Sequence, residues 1–261
     1  MIETADLAAF VFRLLATGAV VLGVTFAVGR LGATAGGMLA GLPIVIGPGL
    51  VFLSLDESPE FVAQTATFAL LSLCATQSFM LAYLLAARRA SPAPAVALAF
   101  LAWLSTALIL ANVVAGPLPA LALFAGSVVI ARTVGRRMRI PGAPVQSRDT
   151  LTALLLRAGL AGLLVGVITA ASSWLGPQYS GLLIAYPVGM TVIAASVHLR
   201  YGAAKVIDTL YATALGTTSI AAFCFVVALS AERFGSPLAL VLGFSASFLL
   251  TLALLARGRR S

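Results

Sequence analysis

Apolar runs of about 20 residues follow one another along almost the whole chain, separated by short segments that carry charges, glycine or proline. A helix needs about 20 apolar residues to cross roughly 30 Å of hydrocarbon, so each run predicts a membrane-spanning helix. The runs lie at about 7–29, 34–55, 61–87, 94–115, 117–132, 150–175, 179–199, 204–231 and 236–256. The fifth run is short and begins with Pro117 and Pro119, so the pattern alone leaves eight or nine helices open.

The composition agrees with an all-α polytopic membrane protein. Of 261 residues, 61% are hydrophobic and 9% are charged, and the mean hydropathy is +1.09. Soluble domains contain about 25% charged residues. The composition therefore excludes a soluble enzyme, a nucleic-acid-binding domain and a disordered chain. Basic cytoplasmic loops explain the formal net charge of +8 better than a nucleic-acid partner does.

The placement of the charges favours nine helices. With nine, thirteen of the 16 basic residues fall on one side of the membrane. They are Arg30, Arg88, Arg89, Arg132, Arg136, Arg137, Arg139, Arg148, Arg200, Lys205, Arg257, Arg259 and Arg260. With eight, the basic residues of the second half would change sides. Because basic loops stay in the cytoplasm, we expect a bacterial inner-membrane protein with its N-terminus outside and its C-terminus in the cytoplasm.

An internal repeat is visible when each residue is aligned with the one 144 positions later. The matched pairs include Arg13/Arg157, Gly18/Gly162, Thr25/Thr169, Gly37/Gly181, Pro43/Pro187 and Thr65/Thr209. We therefore divide the chain into repeat 1 (1–116, helices 1–4), a connector (117–149, helix 5 and a basic cytoplasmic loop) and repeat 2 (150–261, helices 6–9). A single connector helix inverts the second repeat in the membrane. That arrangement is typical of secondary transporters and also suits some channels.

Two matched prolines predict broken helices. Pro43 lies near the centre of span 2, Pro187 lies near the centre of span 7, and Gly47-Pro48-Gly49 should break span 2 outright. Backbone groups freed by a break must face protein or a watery cavity, and the half-helix after it presents N–H groups that attract anions. Our candidate binding residues here are Pro43, Gly47, Pro48, Tyr186, Pro187, Gly189 and Thr191. The alternative is that both prolines only kink packed helices.

Other polar residues within the spans extend this hypothesis. Gln77 in span 3 and Thr217 in span 8 would form a polar wall opposite the breaks, or else only pack helices together. Arg13 and Arg157 would attract an anion at the two mouths, or else extend to the nearest interface. His198, which ends span 7, is expected at the interface, with a proton-coupling role as the alternative.

Residue types that are absent from the spans restrict which solutes or metals the protein is expected to bind. No Asp or Glu falls in the middle of a span, which argues against a cation antiporter or a metal importer and favours an anionic or neutral solute. Cys74 and Cys224 lie within apolar runs and His198 is the only histidine, so we expect no disulfide, metal or cofactor.

Glycine pairs such as Gly162/Gly166 predict close helix packing. The basic loop at 132–148 is expected to contact anionic lipid headgroups.

One short motif resembles a known family. It is Gly181-Leu182-Leu183-Ile184-Ala185-Tyr186-Pro187, followed by Thr191 and Ala194. This stretch is similar to the GL-x-x-x-x-P…T…A stretch of the small GlpM-like bacterial membrane proteins, and the first copy at 40–48 resembles a related group of uncharacterised bacterial membrane proteins. The likeness covers about 50 residues per half and implies no site residues. The two-repeat arrangement is also similar to crossed-helix transporters such as the bile-acid/sodium symporter class, at the level of fold.

These observations lead to one main hypothesis and two alternatives. The main one is a small secondary transporter that moves a small anionic organic solute by alternating access. The first alternative is an accessory or lipid-handling scaffold protein without transport activity. The second, an intramembrane enzyme, is disfavoured because the spans contain no His/Asp/Glu constellation for acid–base chemistry. The expected partners are the solute and the lipid bilayer, with no nucleic acid; a homodimer is left open.

Overall fold

The architecture is all-α. The computed structural model describes residues 4–30, 42–113, 116–138 and 150–258; of these, 91% are helical and none lies in a strand. Seven helices of this described part are long and apolar enough to cross a membrane. The predicted all-α, multi-pass class is therefore confirmed at this level.

Ten helical elements make up the described chain. They are α1 (Thr4–Arg30), α2 (Ile46–Asp56), α3 (Pro59–Ala87), α4 (Pro92–Val113), α5 (Pro117–Met138), α6 (Leu151–Ala170), α7 (Ser172–Ile184), α8 (Val188–Thr213), α9 (Thr217–Phe234) and α10 (Ser236–Gly258). Proline begins several of them because the first turn leaves its N–H groups unpaired in any case. Short turns join most neighbours.

The connector helix is longer than its apolar run. We expected helix 5 to span 117–132 and a basic loop to begin at Arg132, but α5 continues to Met138 and carries Arg136 and Arg137 in its last turn. Arginine is a good helix former, and cations are favourable at a helix C-terminus. The loop we placed from Arg132 onward therefore begins inside the helix, and its remainder, 139–149, lies outside the described residues.

The apolar stretch Ser172–Phe234 is not one helix. A straight helix of its 63 residues would be about 95 Å long, roughly three times the hydrocarbon thickness. Non-helical backbone interrupts it at Gly176 (φ +70°), at 185–187, at Gly202 (φ +78°) and at 214–216. Because this positive φ is easy only for glycine, Gly202 is where the chain can turn between two helical segments.

The helix α3 forms the centre of the bundle. Of its most apolar 18 residues, 72% are buried, against 11% for α1. It packs against α4, α5, α7 and α9. One core cluster gathers Leu70 with Leu50 and Phe223, and a second gathers Phe79 with Leu210. The peripheral helices leave large apolar side chains exposed, as a lipid-facing surface requires.

The first helices of the two proposed repeats cross closely and run in opposite directions. Phe10 packs at Gly166, Leu14 at Gly162 and Gly18 at Ala158. A Cβ at Gly162 would overlap the Leu14 carbonyl oxygen. The predicted packing role of Gly162 and Gly166 is thus confirmed, whereas the pairs Gly32/Gly36 and Gly37/Gly41 lie outside the described residues.

Candidate functional site

The first break lies upstream of where the glycines predict it. Residues 42–45 are not helical, Pro43 among them, and α2 begins at Ile46. The expectation that Gly47-Pro48-Gly49 breaks the helix is wrong. These residues form its first turn, where Gly47 N–H donates to Pro43 O at 2.8 Å and Gly49 N–H donates to Val45 O at 3.2 Å. Pro48 is tolerated because a first turn does not need its N–H.

Apolar side chains surround this first half-helix start. A Cβ at Gly47 would lie 2.7 Å from the Phe244 ring of α10, and one at Gly49 would overlap Ile184. Ile184 is the last residue of α7, directly before the second break. The two breaks therefore adjoin, and the contact between them is made by hydrocarbon.

The second break has a different, polar character. Residues 185–187 interrupt the helix and α8 starts at Val188, with Pro187 as an N-cap that makes no side-chain hydrogen bond. The Tyr186 and Thr191 hydroxyl oxygens are 3.2 Å apart, and Thr191 donates to the Pro187 carbonyl at 2.9 Å. This segment therefore holds two hydroxyl groups beside the N-terminal, positive end of α8.

A buried arginine lies at the same half-helix start. Arg157 of α6 is only 8% exposed, and a Cβ at Gly189 would lie 3.5 Å from its Cδ. This burial contradicts the interpretation in which Arg157 extends to the membrane interface. A guanidinium group and the N-terminus of α8 are both positive, and this pair favours an anion between or beside them.

Its counterpart in the first half is arranged differently. Arg13 forms an ion pair with Asp56 at 2.6 Å, where the two side chains are 14% and 40% exposed. Asp56 ends α2, so this pair lies at the far end of the half-helix from the break. The structure therefore places Arg157, but not Arg13, at a helix break.

Aromatic rings cover Tyr186 from α4. The Trp103 ring lies 4.8 Å from the Tyr186 ring in an edge-to-face arrangement, and the Phe100 ring lies 5.8 Å away. No sequence signal indicated this contact, since the rings are far apart along the chain and α4 is mostly apolar. Trp103 is fully enclosed, at 2% exposure.

Of the residues predicted to form a polar wall, Gln77 and Thr217 form one side-chain pair between α3 and α9. Gln77 Nε2 donates to Thr217 Oγ1 at 3.0 Å, and Thr217 in turn donates to Ala214 O at 2.8 Å. Both side chains are buried. The structure brings Gln77 and Thr217 together but joins neither to the two breaks by a hydrogen bond among the described residues. The helix break at 214–216, beside this pair, was not predicted.

The His198 side chain is enclosed by the protein. It is 9% exposed, its Nδ1 lies 3.2 Å from the Tyr83 hydroxyl oxygen, and the two rings meet edge to face. Tyr83 of α3 is completely buried. Packing of α8 against α3 encloses the side chain, so His198 faces protein. The chain between the two helices is too long for sequence spacing to indicate the contact.

The bundle has a cleft at one end. Its volume is about 480 Å³, and Gln64, Thr67, Asn112, Pro117 and Glu232 contribute to its walls. Pro117 is the first residue of α5, so the cleft opens beside the start of the connector helix. A volume of this size is in the range of small-molecule sites.

At its other end, α5 is seated in a groove. A Cβ at Gly135 would lie 2.9 Å from the Tyr211 ring and 3.6 Å from Leu84. The Arg132 guanidinium group lies 5.1 Å from the centre of the Tyr211 ring, and Arg88 donates to the Met138 carbonyl at 2.6 Å. This groove is filled, whereas the cleft is open.

The described residues contain no candidate metal centre. Within 4–30, 42–113, 116–138 and 150–258, no three His, Cys, Asp or Glu side chains come together. Cys74 and Cys224 are buried free thiols.

Comparisons of the chain with family models, with curated proteins and with solved structures gave no match.

Proposed function

We propose that the protein is a small secondary transporter that moves a small anionic organic solute across the bacterial inner membrane by alternating access. The observation that carries the proposal is the position of Arg157. A cation buried within a membrane protein, here at 8% exposure, is costly, and such residues mark solute paths. This one lies against Gly189, at the start of a half-helix whose N-terminus also attracts anions.

The remaining groups at the second break suit the same solute. Tyr186 and Thr191 supply hydroxyl groups beside the half-helix, and the surrounding rings of Phe100 and Trp103 supply an apolar wall. Sites for small molecules combine mostly apolar walls with a few polar groups that fix orientation. An organic anion has both parts: a charged group for Arg157 and a hydrocarbon body for the rings.

Helix boundaries favour an inverted repeat. At the offset that pairs Pro43 with Pro187, α2 falls on 190–200, within α8, and α4 falls on 236–257, which nearly coincides with α10. The matched first helices, α1 and α6, run antiparallel. Two equivalent halves in opposite orientation are able to exchange inner and outer roles, which is the basis of alternating access in many transporters.

The same boundaries favour nine crossings. The stretch 172–234 counts once among the seven long apolar helices of the described chain but contains a left-handed glycine at Gly202, where the chain would turn back. Counting the parts before and after Gly202 separately gives eight, and counting the shorter apolar helix Ile46–Asp56 as a further crossing gives nine. With nine, the acidic loops lie outside and the C-terminus in the cytoplasm, as the charges predict.

The open cleft and the filled groove contain residues that lie 144 positions apart in the chain, which is the offset of the proposed repeat. Three residues at the cleft, Thr67, Ala228 and Glu232, are matched by the repeat offset to three residues at the groove, Tyr211, Leu84 and Arg88. One end of the molecule is thus open where its counterpart is closed by α5. A difference in openness between these two places of the described chain is compatible with alternating access.

Uptake by proteoliposomes tests the function. We expect saturable uptake of at least one organic anion in a screen of organic acids. Arg157→Gln should lower uptake by about 100-fold, since a charge-assisted contact worth about 3 kcal/mol is lost. The matched control is Arg13→Gln, which removes the paired arginine of the first half and should change uptake by less than about threefold.

Two outcomes would contradict the proposal. Absence of saturable flux for every anion tested would reject transport of this cargo class. Equal losses in Arg157→Gln and Arg13→Gln, with both variants folded, would reject the assignment of the site to the second break.

A scaffold protein without transport activity is the second candidate, and one observation favours it. The first break is packed with hydrocarbon from Phe244 and Ile184, as a purely structural kink would be. The second break, with its buried arginine and hydroxyl groups, is not packed in this way.

A further inference from the structure

We propose that the open cleft binds a small organic cation, one that carries an ammonium group on an apolar body. The cleft is formed by α3, α4, α5 and α9 at the end of the bundle where α5 begins. None of its lining residues belongs to the second break. The cation would therefore be a ligand in addition to the proposed anionic solute, and its binding does not depend on the proposed transport function.

Glu232 carries the one formal charge among the described lining residues. Its carboxylate is exposed and makes no ion pair within the described part of the chain. The neighbouring Arg233 lies over the Phe234 ring, with its guanidinium group 5.7 Å from the ring centre. The carboxylate is thus available to a positively charged ligand, and the same charge disfavours an anion in the cleft.

Two amide side chains in the cleft wall have orientations that follow from their hydrogen bonds. Gln64 Nε2 donates to Glu60 Oε1 at 3.2 Å. Asn112 Nδ2 donates to the Leu108 carbonyl at 2.7 Å. A carboxylate and a carbonyl only accept, so the group that faces each of them must be the NH₂. Both amide oxygens, together with one N–H of each amide, remain for a ligand.

The hydroxyl group of Thr67 in the same wall can only accept. Thr67 is 8% exposed, and its hydroxyl donates to the Ala63 carbonyl at 3.0 Å. A hydroxyl group has only one proton to give, so its oxygen keeps lone pairs for a ligand. The cleft therefore offers a carboxylate, two amide oxygens and a hydroxyl oxygen as acceptors, against two amide N–H groups as donors. An ammonium group, which has three donors and no acceptor, suits this excess of acceptors.

The rest of the cleft wall is apolar and leaves room for a hydrocarbon body. The volume of about 480 Å³ lies within the range of small-molecule sites. The apolar side chains that line it are Ala63, Phe68, Ala111, Pro117 and Ala228. Sites for small molecules combine such walls with a few polar groups that fix the orientation of the ligand.

Thermal unfolding of the purified full-length protein, titrated with phenethylammonium chloride at constant ionic strength, tests the site. At about ten times the Kd of this compound, we expect Tm to rise by about 3 °C. Phenylethanol removes the charge and phenylpropionate reverses it, and neither should shift Tm at the same concentrations. The trimethylated form of phenethylammonium keeps the charge but has no N–H donor, so it should bind about fivefold more weakly.

Two variants separate a contact in the cleft from the general negative potential at this end of the bundle. Glu232→Gln should weaken phenethylammonium binding by about fivefold, as expected for one exposed charge pair. Glu60→Gln is the matched control, because Glu60 lies outside the cleft wall and glutamine can still accept from Gln64. It should change Kd by less than about twofold, since exposed charges at a distance are screened.

Three results would overturn the proposal. They are the absence of a saturable shift with phenethylammonium, an equal shift with phenylpropionate, and an unchanged Kd in folded Glu232→Gln. The last result would mean that the compound binds to the apolar surface or to the detergent without contacting the carboxylate.

Discussion

The two half-helix starts occupy corresponding positions in the chain but have opposite chemistry. At the first, Gly47 and Gly49 admit the Phe244 ring and Ile184, so the start of α2 is closed by hydrocarbon. At the second, Gly189 admits the aliphatic part of Arg157, and two hydroxyl groups lie close by. A proline break therefore does not make a site by itself. The side chains that reach it from other helices decide whether it is apolar or polar.

The largest effect on stability is expected where α1 and α6 cross. Gly162→Ala would place a methyl group on the Leu14 carbonyl oxygen, which is backbone and has no alternative rotamer. We expect a loss of about 3 kcal/mol in unfolding free energy, at the upper end of overpacking effects. Its counterpart Gly18→Ala meets only the Ala158 carbonyl at 3.5 Å, an ordinary contact. That variant should change stability by less than about 1 kcal/mol.

Reversible unfolding in mixed detergent measures both variants. If Gly18→Ala were as destabilising as Gly162→Ala, the two halves would be more alike at this crossing than the structure indicates. Such a result would argue against the conclusion that corresponding positions of the two halves differ in their packing.

A second pair of substitutions distinguishes a packing role of the first break from a solute-binding role of the second break. Gly47→Ala would bring a methyl group to 2.7 Å from the Phe244 ring. We expect it to lose about 1–2 kcal/mol in stability, as overpacking does, but to keep normal uptake in the folded fraction. Gly189→Ala meets only the Arg157 side chain, at 3.5 Å. Its stability should be unchanged or raised by about 0.5 kcal/mol, since alanine favours a helix over glycine, whereas uptake should fall because the methyl group occupies the half-helix start.

Unfolding and uptake are measured on the same preparations of the two variants. Phe244→Leu combined with Gly47→Ala provides the check on the first half, since removing the ring should recover most of the lost stability. Reduced uptake in Gly47→Ala with full folding would mean that the first break also contacts the solute.

The smallest effect is expected from Tyr186→Phe. The change removes one hydroxyl group while keeping the ring contacts with Phe100 and Trp103. Stability should fall by about 0.5–1.5 kcal/mol, the usual contribution of one hydrogen bond. Uptake should fall by about threefold to tenfold through a higher KM, because one polar group for orienting the solute is lost. Tyr179→Phe, at a half-exposed ring, should alter neither quantity; a change in kcat alone for Tyr186→Phe would argue against an orienting role.

The sequence predicted helix positions well because hydrophobic length is a local property. The runs at 61–87 and 236–256 lie within a few residues of α3 and α10. Pro43 and Pro187 indicated both interruptions, since proline removes a hydrogen bond wherever it occurs. Gly47-Pro48-Gly49 gave a wrong prediction because a proline in the first turn of a helix is harmless, and only the position of the helix start reveals this.

Contacts between helices that are far apart in the chain could not be predicted from the sequence. The burial of Arg157 depends on α6 passing beside the start of α8, and the burial of His198 depends on Tyr83 of α3. Both residues lie near predicted span ends, where a long or aromatic side chain has an equally good alternative in the interface. Hydropathy gives the length of a span but not its rotation or its neighbours.

The connector helix has a mechanical consequence. Its first residue borders the open cleft, and its last turns fill the groove at the opposite end. A helix of this length is a rod of about 33 Å, and pivoting it by about 10° around its middle displaces its ends by about 3 Å in opposite directions. Such a pivot would move α5 at the cleft and at the groove at the same time. A cross-link between Gly135→Cys and Tyr211→Cys should then immobilise both ends of the molecule at once.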